Sequence, residues 1–349
     1  MIHDAYLNTR VTLLAKRLLP AAAWERLLAR PVAQDQEFLA RHGLADMVTN
    51  DAEFAGLSLE QRMVTLLLRD ILILSRALNG RESDFLMHWM HRFELANLKA
   101  IIRGKMAGRS VAEIRGGLMQ MGYLGRLPLE DLLRTEDIAE LLRQLQATPY
   151  NDIARAGRQA YEEQRDQFAL DAAFDHRYYS SLVRSAQALE GPAAPRLGDL
   201  MAAQIDRINL IWLLRYRFTY ALAPAQVYYL LIPSHYSLSR ERLRALTQLP
   251  TPDAVLRALP APYARVLAGT ASVSQARQAM AEHGLALARA TLRQPRAPLA
   301  RAFAYLLLRE HDLRRLRAVV RGQHLALPTA LIREAMGLAA IPDMQRQAA

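Results

Sequence analysis

The chain has 349 residues, of which 52% are apolar and 23% are charged, so it can bury a large core and is not a disordered tail. It contains no cysteine, which excludes disulfide frameworks, thiolate metal sites and cysteine nucleophiles. A net charge of +11 is compatible with nucleic acid, an anionic membrane surface or an acidic protein as partner, and charge alone does not choose among them.

The N-terminal stretch MIHDAYLNTRVTLLAKRLLP lacks the apolar core of a signal peptide, because Asp4, Arg10 and Lys16 interrupt its apolar positions. The longest apolar runs, at 208–214 and 227–233, are far shorter than the roughly 20 residues that cross a bilayer. We therefore expect a protein that stays in the cytoplasm and has no membrane-spanning segment.

Most of the sequence carries apolar residues at three- and four-residue spacing and is rich in Leu, Ala and Arg, which predicts an all-α fold. Glycine and proline are expected to end the helices, and the helices between these breaks should be of ordinary length. The breaks are expected at Leu19-Pro20, Gly80, Gly104, Gly122 to Gly125, Gly191-Pro192, Ile232-Pro233, Pro250 to Pro252, Pro260 to Pro262, Gly322 and Pro328.

Three segments resemble one another: FELANLKAIIRGK at 93–105, IDRINLIWLLRYR at 205–217 and HDLRRLRAVVRGQ at 311–323. Each has a carboxylate, then Asn or Arg three residues later, then Arg nine residues after the carboxylate. The carboxylates are 112 and 106 residues apart, and ATPY ending at Tyr150 is echoed by APY ending at Tyr263, 113 residues on. The motif residues are Glu94, Asn97, Arg103, Asp206, Asn209, Arg215, Asp312, Arg315 and Arg321.

A repeat of this length exceeds the roughly 34 to 47 residues of common helical repeats, so each unit should hold several helices. Three copies favour closure around a pseudo-threefold axis, with chance similarity among Leu- and Arg-rich helices as the alternative. We expect N-terminal helices and a first unit at 1–168, a second at 169–280 and a truncated third at 281–349, which should lack the second half of the unit.

Two departures from the motif lead to separate expectations. Tyr216 stands where the other copies have Gly104 and Gly322, so the second motif helix is expected to continue. Arg315 stands where the others have Asn, so the third copy is expected to pair differently. The final residues, IPDMQRQAA, are expected to form a loose tail.

Each motif carboxylate falls within the apolar stripe of its own helix, where an unpaired charge is almost never found. The motif arginine lies on the opposite side of the helix and about 13 Å further along its axis, so it cannot pair with that carboxylate. We expect each carboxylate to reach another helix, a backbone N–H group or an ordered water, and each arginine to lie near a helix C-terminus. The motif then serves as repeated architecture, as the lining of a central cavity that receives a partner, or as both.

Other candidate sites are weaker. His88, His91 and Glu94 are spaced one helical turn apart, but they lack the HExxH pattern of metalloproteases, so a helical metalloenzyme is kept only as an alternative. The segment GKMAGRS at 104–110 lacks the spacing of a phosphate loop. We therefore assign no catalytic residue, no cofactor and no metal site.

Basic residues cluster at 308–324 and 239–244. In the first cluster we expect Leu308, Leu316 and Val319 to lie in the core and the arginines to be solvated around them. A basic helical nucleic-acid-binding protein is therefore an alternative, although no known module and no aromatic residues interleaved with the basic groups support it.

Four segments, YLNTRVTLLAKRLL, FELANLKAIIRGK, INLIWLLRYR and YLLLREHDLRRLRAVVRGQ, together resemble the C subunit of archaeal and bacterial V/A-type ATPases, which is called the d subunit in eukaryotic V-ATPases. The resemblance extends over residues 6–323. It implies an all-helical funnel of three similar units on the cytoplasmic face of the membrane, peripheral to it and seated on the proteolipid ring.

The same resemblance implies partners and a role. The mouth of the funnel would accept the central stalk, built from the D and F subunits, and nucleic acid would not be a partner. The protein would be a non-catalytic part of the rotor, coupling the stalk to the ring during ion transport or ATP synthesis.

Overall fold

The computed structural model describes residues 2–49, 54, 56–164, 166–191, 193–261, 263–270 and 272–338. Within these ranges every regular element is a helix and no strand occurs, which confirms the all-α prediction. None of the helices in the same ranges is long and apolar enough to cross a membrane. The expected tail IPDMQRQAA lies outside the described residues.

Three 3-10 helices occur at Val32–Asp35, Ala45–Met47 and Gly122–Leu124, and a π-helix occurs at Arg215–Thr219. The α-helices are α1 (Ile2–Ala15), α2 (Ala21–Ala29), α3 (Gln36–Arg41), α4 (Leu59–Ser75), α5 (Gly80–Met90), α6 (Arg92–Met106), α7 (Val111–Gly116), α8 (Leu129–Arg134), α9 (Ile138–Leu145), α10 (Asn151–Gln164), α11 (Gln167–Gln187), α12 (Ala194–Leu214), α13 (Pro224–Leu230), α14 (Arg240–Thr247), α15 (Pro252–Arg257), α16 (Tyr263–Val266), α17 (Val273–Leu292), α18 (Pro298–His324) and α19 (Thr329–Ala335).

The chain divides into two compact units, one made of 1–77 and 305–349 and the other of 78–304. In the first unit, α1 packs on α4, and Val11 and Ile71 are fully buried in its core. In the second unit, α10 packs on α11 and α12 on α17, and Phe174 and Leu210 are fully buried. The predicted unit boundaries, 1–168, 169–280 and 281–349, stay a prediction.

Gly104 and Gly322 do not end their helices, contrary to expectation. Helices α6 and α18 continue for two further residues, and a Cβ atom on either glycine would lie 2.5 Å from Cγ1 of Ile114 or 2.6 Å from Cγ1 of Ile332. Both glycines therefore serve close packing: they let the next helix approach the motif helix more closely than any side chain would allow.

Helix α18 has 27 residues and is longer than we expected. Its Leu308, Leu316 and Val319 are buried, as predicted. Arg309 was expected to be solvated but is 1% exposed, because Asp70 lies 3.3 Å from its Nε and its other nitrogens donate to the carbonyls of His42 and Gly43. A buried arginine is tolerated where its charge is paired and most of its N–H groups are hydrogen-bonded in this way.

Candidate functional site: the buried carboxylate clasps

The first motif carboxylate, Glu94 of α6, is 2% exposed and fully engaged. Its Oε1 accepts hydrogen bonds from the backbone N–H groups of Arg126 at 2.6 Å and Leu127 at 2.8 Å, and Tyr150 donates its hydroxyl to Oε2. The carboxylate thus ties α6 to the segment before α8 and to the start of α10. We call each motif carboxylate and the motif residue three positions later, with the groups they bind, a clasp.

The second motif carboxylate, Asp206 of α12, is fully buried and binds corresponding groups. Its Oδ2 accepts from the N–H of Leu238 at 3.2 Å and from the hydroxyl of Tyr263 at 2.8 Å, and the hydroxyl of Ser234 lies 3.5 Å from Oδ1. Burial raises the pKa of Asp206 to about 6, although its hydrogen bonds act in the opposite direction.

The two tyrosines act as donors in these clasps. Burial, and then the charge of the neighbouring carboxylate, raises the pKa of both Tyr150 and Tyr263 well above the usual value. Both hydroxyls therefore keep their protons at neutral pH. The similarity between ATPY and APY in the sequence singled out these two tyrosines, but it did not predict their hydrogen bonds.

Each motif asparagine binds both backbone polar groups of a single residue that lies later in the sequence. Nδ2 of Asn97 donates to the carbonyl of Met119 at 2.8 Å, and Oδ1 accepts from the N–H of the same residue at 2.7 Å. Asn209 makes the same pair of bonds to Ile232, at 3.0 and 2.8 Å. An asparagine side chain offers both donors and an acceptor, so it can satisfy both polar groups of one residue outside the helices.

The third clasp differs, as the sequence predicted. Nε of Arg315 donates to the carbonyl of Met336 at 3.0 Å, so a guanidinium takes the place of the asparagine amide. Oδ2 of Asp312 accepts from the N–H of Leu19 at 2.9 Å, in the segment just before α2. In the first two clasps the N–H donor belongs to a residue that follows the carboxylate in the sequence. In the third clasp it belongs to a residue 293 positions before the carboxylate.

The second motif helix continues past α12 as the π-helix Arg215–Thr219, which confirms the expectation drawn from Tyr216. The turn after each motif helix contains one residue with positive φ, namely Gly108, Ala221 or Ala326. That residue follows the carboxylate by 14 positions in the first and third copies and by 15 in the second. A π-helical turn takes up one additional residue without breaking the helix, so the π-helix accounts for the extra position.

The three motif arginines lie near helix C-termini, as predicted. Arg103 and Arg321 are in the last turns of α6 and α18, and Arg215 is the C-cap residue of α12. Arg103 donates to the carbonyl of Lys99 at 3.3 Å, and Arg215 donates to the hydroxyl of Tyr220 at 2.8 Å. Cations at this end of a helix are stabilised by the helix dipole.

The histidines considered as metal ligands lie beside the first clasp. Burial, and then nearby positive charges, lowers the pKa of both His88 and His91 to about 4, so both imidazoles are neutral at pH 7. Nε2 of His91 lies 3.8 Å from Oε2 of Glu94, but both Glu94 oxygens already accept hydrogen bonds from protein donors. Among the described residues, no three or more His, Asp or Glu side chains are placed to hold a metal ion.

The clasps are chemically suited to holding helices together. Each one satisfies backbone groups that would otherwise be buried without partners, and a charged acceptor makes such bonds stronger than neutral ones. The expectation that the carboxylates reach backbone N–H groups is confirmed for Glu94, Asp206 and Asp312. Leu19 was missed because nothing local in the sequence connects it to α18.

Comparison with known proteins gives a family. The family model described as "ATP synthase (C/AC39) subunit" matches residues 7–335. The chain is 22% identical over 247 residues to the C subunit of the A-type ATP synthase of Methanosarcina mazei, covering 69% of this chain and 66% of the relative. It is 27% identical over 210 residues to the C subunit of the V-type ATP synthase of Thermus thermophilus, covering 59% and 61%.

A third relative is the C subunit of the A-type ATP synthase of Haloferax volcanii, 28% identical over 131 residues, or 38% of this chain and 37% of the relative. The chain thus spans between 37% and 66% of the length of the curated relatives named here. Because the family model covers nearly all of the sequence, we conclude that the chain belongs to the ATP synthase (C/AC39) subunit family, as the resemblance of its motif segments predicted.

Proposed function

We propose that the chain is a non-catalytic part of the central rotor of a V/A-type ATPase. It would couple the central stalk, made of the D and F subunits, to the proteolipid ring during rotary ion transport or ATP synthesis. The observation that carries this proposal is the family match over residues 7–335, together with relatives named as the C subunit of A-type and V-type ATP synthases.

The proposed architecture is a funnel of three similar helical units around a pseudo-threefold axis. The recurrence of the clasp supports it, because Glu94 and Asp206 bind a leucine N–H and a tyrosine hydroxyl at matching positions. In the third unit the N-terminal segment around Leu19 would take the place of the missing downstream half.

A mechanical role requires helices that do not slide past one another under load. Each clasp connects its motif helix to a backbone position outside that helix through buried hydrogen bonds to a carboxylate. Breaking such a bond exposes a charged group and leaves a buried donor unpaired, which costs more than the loss of an apolar contact of similar size. Bonds of this kind therefore suit a coupling element that transmits torque.

Most of the exposed large hydrophobic side chains in the described ranges lie in three stretches that follow the motif helices, at 106–111, 220–229 and 325–331. Met106 is 44% exposed, Tyr229 77% and Leu325 55%. Contiguous exposed apolar side chains are typical of protein interaction sites, and each stretch brings two or three such side chains close together along the chain. Three chemically similar stretches suit a partner that presents the same surface several times, so we propose them as contacts with the proteolipid ring.

The proposed location is the cytoplasmic face of the membrane, peripheral to it and within the ATPase complex. The net charge of +11 supports acidic partner surfaces there, since opposite charge speeds association. The comparisons give no support to the nucleic-acid alternative, and Arg309 of the basic cluster is withdrawn from the surface by its ion pair with Asp70.

The test is co-purification combined with a coupling assay. A tagged chain expressed in a host that carries the ATPase should co-purify with the D and F subunits and with the proteolipid. Its deletion should abolish ion transport driven by ATP. ATP hydrolysis that stays fully coupled to transport in the deletion strain would refute the proposal.

The contact stretches are tested separately. Met106→Asp and Tyr229→Asp should reduce co-purification of the proteolipid without changing the melting temperature, because both side chains are exposed. Tyr123→Asp is the matched control, since Tyr123 is 76% exposed and lies outside the three stretches. Equal effects of all three substitutions would exclude a specific role for the stretches.

A further inference from the structure

A polar cavity of about 760 Å³ lies beside the first clasp, within the unit formed by 78–304. Its walls come from α5, from the segment before α8, from residues 148–153 at the start of α10, and from α11. The volume falls in the range of roughly 300 to 1,000 Å³ that is usual for small-molecule sites. The cavity is therefore large enough for more than a single ion.

The first clasp fixes two residues of the cavity lining. The carboxylate of Glu94 holds the backbone N–H of Arg126 and the hydroxyl of Tyr150, and both residues line the cavity. A site whose lining is held by buried hydrogen bonds is preorganised, so a ligand does not have to pay for ordering it.

Hydrogen-bond donors without partners surround the cavity. In the described part of the chain, the guanidinium of Arg126 and the hydroxyls of Ser181 and Ser185 make no hydrogen bond and no ion pair to protein groups. The charge of Arg177 is already matched by Asp152, whose Oδ2 lies 2.6 Å from Nη2. Arg126 is thus the cation in this lining that is available to a ligand.

The cavity lining carries two cations, Arg126 and Arg177, and two carboxylates, Asp84 and Asp152. Burial is the main reason that the pKa values of His88 and His91 fall to about 4, but the charge of Arg126 lowers both further, and that of Arg184 lowers the first. The neutral imidazole of His88 keeps one N–H group that can donate to an anion, whereas the ring of His91 already hydrogen bonds to the backbone of Leu124. An anion bound beside Arg126 would relieve the repulsion that now disfavours a charged imidazole.

The cavity lining does not recur with the clasp. Leu200 and Ala203 stand 112 residues after His88 and His91, and Ser237 stands before Leu238 where Arg126 stands before Leu127. The second clasp therefore has neither the imidazoles nor the free guanidinium. A feature needed only for holding helices would be expected in both copies, so this lining indicates an additional role.

We propose that this cavity binds a small organic phosphate, with Arg126 pairing with the phosphate group and His88, Ser181 and Ser185 completing its hydrogen bonds. A phosphate dianion offers three acceptor oxygens and matches several converging donors better than a carboxylate, which offers two. The space beside Pro149 and Ile153 would accommodate the organic part.

The experiment is isothermal titration calorimetry of the purified full chain with adenosine monophosphate, inorganic phosphate and acetate. We expect the nucleotide to bind more tightly than inorganic phosphate and acetate not to bind. Arg126→Ala should weaken nucleotide binding by about tenfold or more, which is the usual loss when a charged hydrogen bond is removed, and Arg126→Lys should restore part of it.

Arg109→Ala is the matched control, because Arg109 is also an exposed arginine of this unit but lies outside the cavity lining. The variant His88→Gln should weaken binding while Arg109→Ala leaves it unchanged. The absence of nucleotide binding at millimolar concentration, or equal affinity of the Arg126→Ala and wild-type chains, would overturn the proposal. Since no ATPase partner is present, neither result bears on the proposed rotor function.

Discussion

Replacement of Glu94 by alanine gives the sharpest test of the clasp. The substitution removes the acceptor for the N–H of Leu127 and for the hydroxyl of Tyr150, both of which belong to buried residues, and for the N–H of the exposed Arg126. Each buried donor left without a partner costs about 1–3 kcal/mol. Two such donors, offset in part by removal of a buried charge, lead us to expect a loss of about 2–4 kcal/mol.

Two measurements check this expectation. Denaturant unfolding followed by tryptophan fluorescence reports the free energy of unfolding, and with Trp24 replaced by Phe the signal comes from Trp89 and Trp212, both in the unit that contains Glu94. Hydrogen exchange at Leu127 reports the clasp itself, because its amide should lose protection in the Glu94→Ala chain before global unfolding.

The control is Glu162→Ala, which removes an exposed carboxylate of α10 paired with Arg158 one turn earlier. Exposed pairs of this kind contribute about 0.3–0.5 kcal/mol, so the control should remain close to the wild-type chain. The reasoning would be refuted if Glu94→Ala unfolded like the control and left the exchange of the Leu127 amide unchanged. Normal stability with lost ATPase coupling would instead favour a role for Glu94 in lining a partner site.

Three further predictions follow from the packing and the buried charges. Gly322→Ala should destabilise the chain by about 1–3 kcal/mol in denaturant unfolding, because the new methyl group overlaps the next helix. The control Gly198→Ala in α12 places its new Cβ where nothing lies within 4 Å, so it should leave stability unchanged or raise it. Arg309→Met should cost about 1–3 kcal/mol by the same measurement, since the carbonyls of His42 and Gly43 lose their donor while Asp70 keeps Arg17 at 3.0 Å. An unchanged free energy of unfolding would contradict the assignment. The pKa values of His88 and His91 are about 4 in the folded chain and 6.5 in the unfolded chain, so the unfolded chain binds more protons between pH 4 and pH 6.5. The free energy of unfolding should therefore fall as pH drops from 6.5 to 4. Replacing both histidines with Gln should flatten that dependence.

The predicted burial of the motif carboxylates shows how far periodicity alone reaches. Leu98 and Ile101 follow Glu94 at helical spacing, and this local pattern was enough to place the carboxylate in the core. Burial then required partners, because an unpaired carboxylate in the core is too costly. The same reasoning placed Arg103 near a helix C-terminus, where the structure has it.

The roles of individual glycines and arginines were less predictable. Gly104 looked like a helix end because glycine commonly follows the last helical turn. In the structure its lack of a side chain lets Ile114 of the next helix pack closely against it. Arg309 looked solvated because arginine usually is, but the carboxylate of Asp70, 239 residues earlier in the chain, and the carbonyls of His42 and Gly43 make its burial tolerable. The local sequence around these residues predicts neither contact.

The sequence by itself determined the helical class, the family, the three motif helices and the burial of their carboxylates, because each of these depends on residue types at short, regular spacing. Only the tertiary structure decided which groups those carboxylates bind. Leu127 and Tyr150 meet Glu94 from 33 and 56 residues away, and Leu19 meets Asp312 from 293 residues away. Such pairings depend on how the helices pack in three dimensions, and helical periodicity carries no information about contacts so distant along the chain.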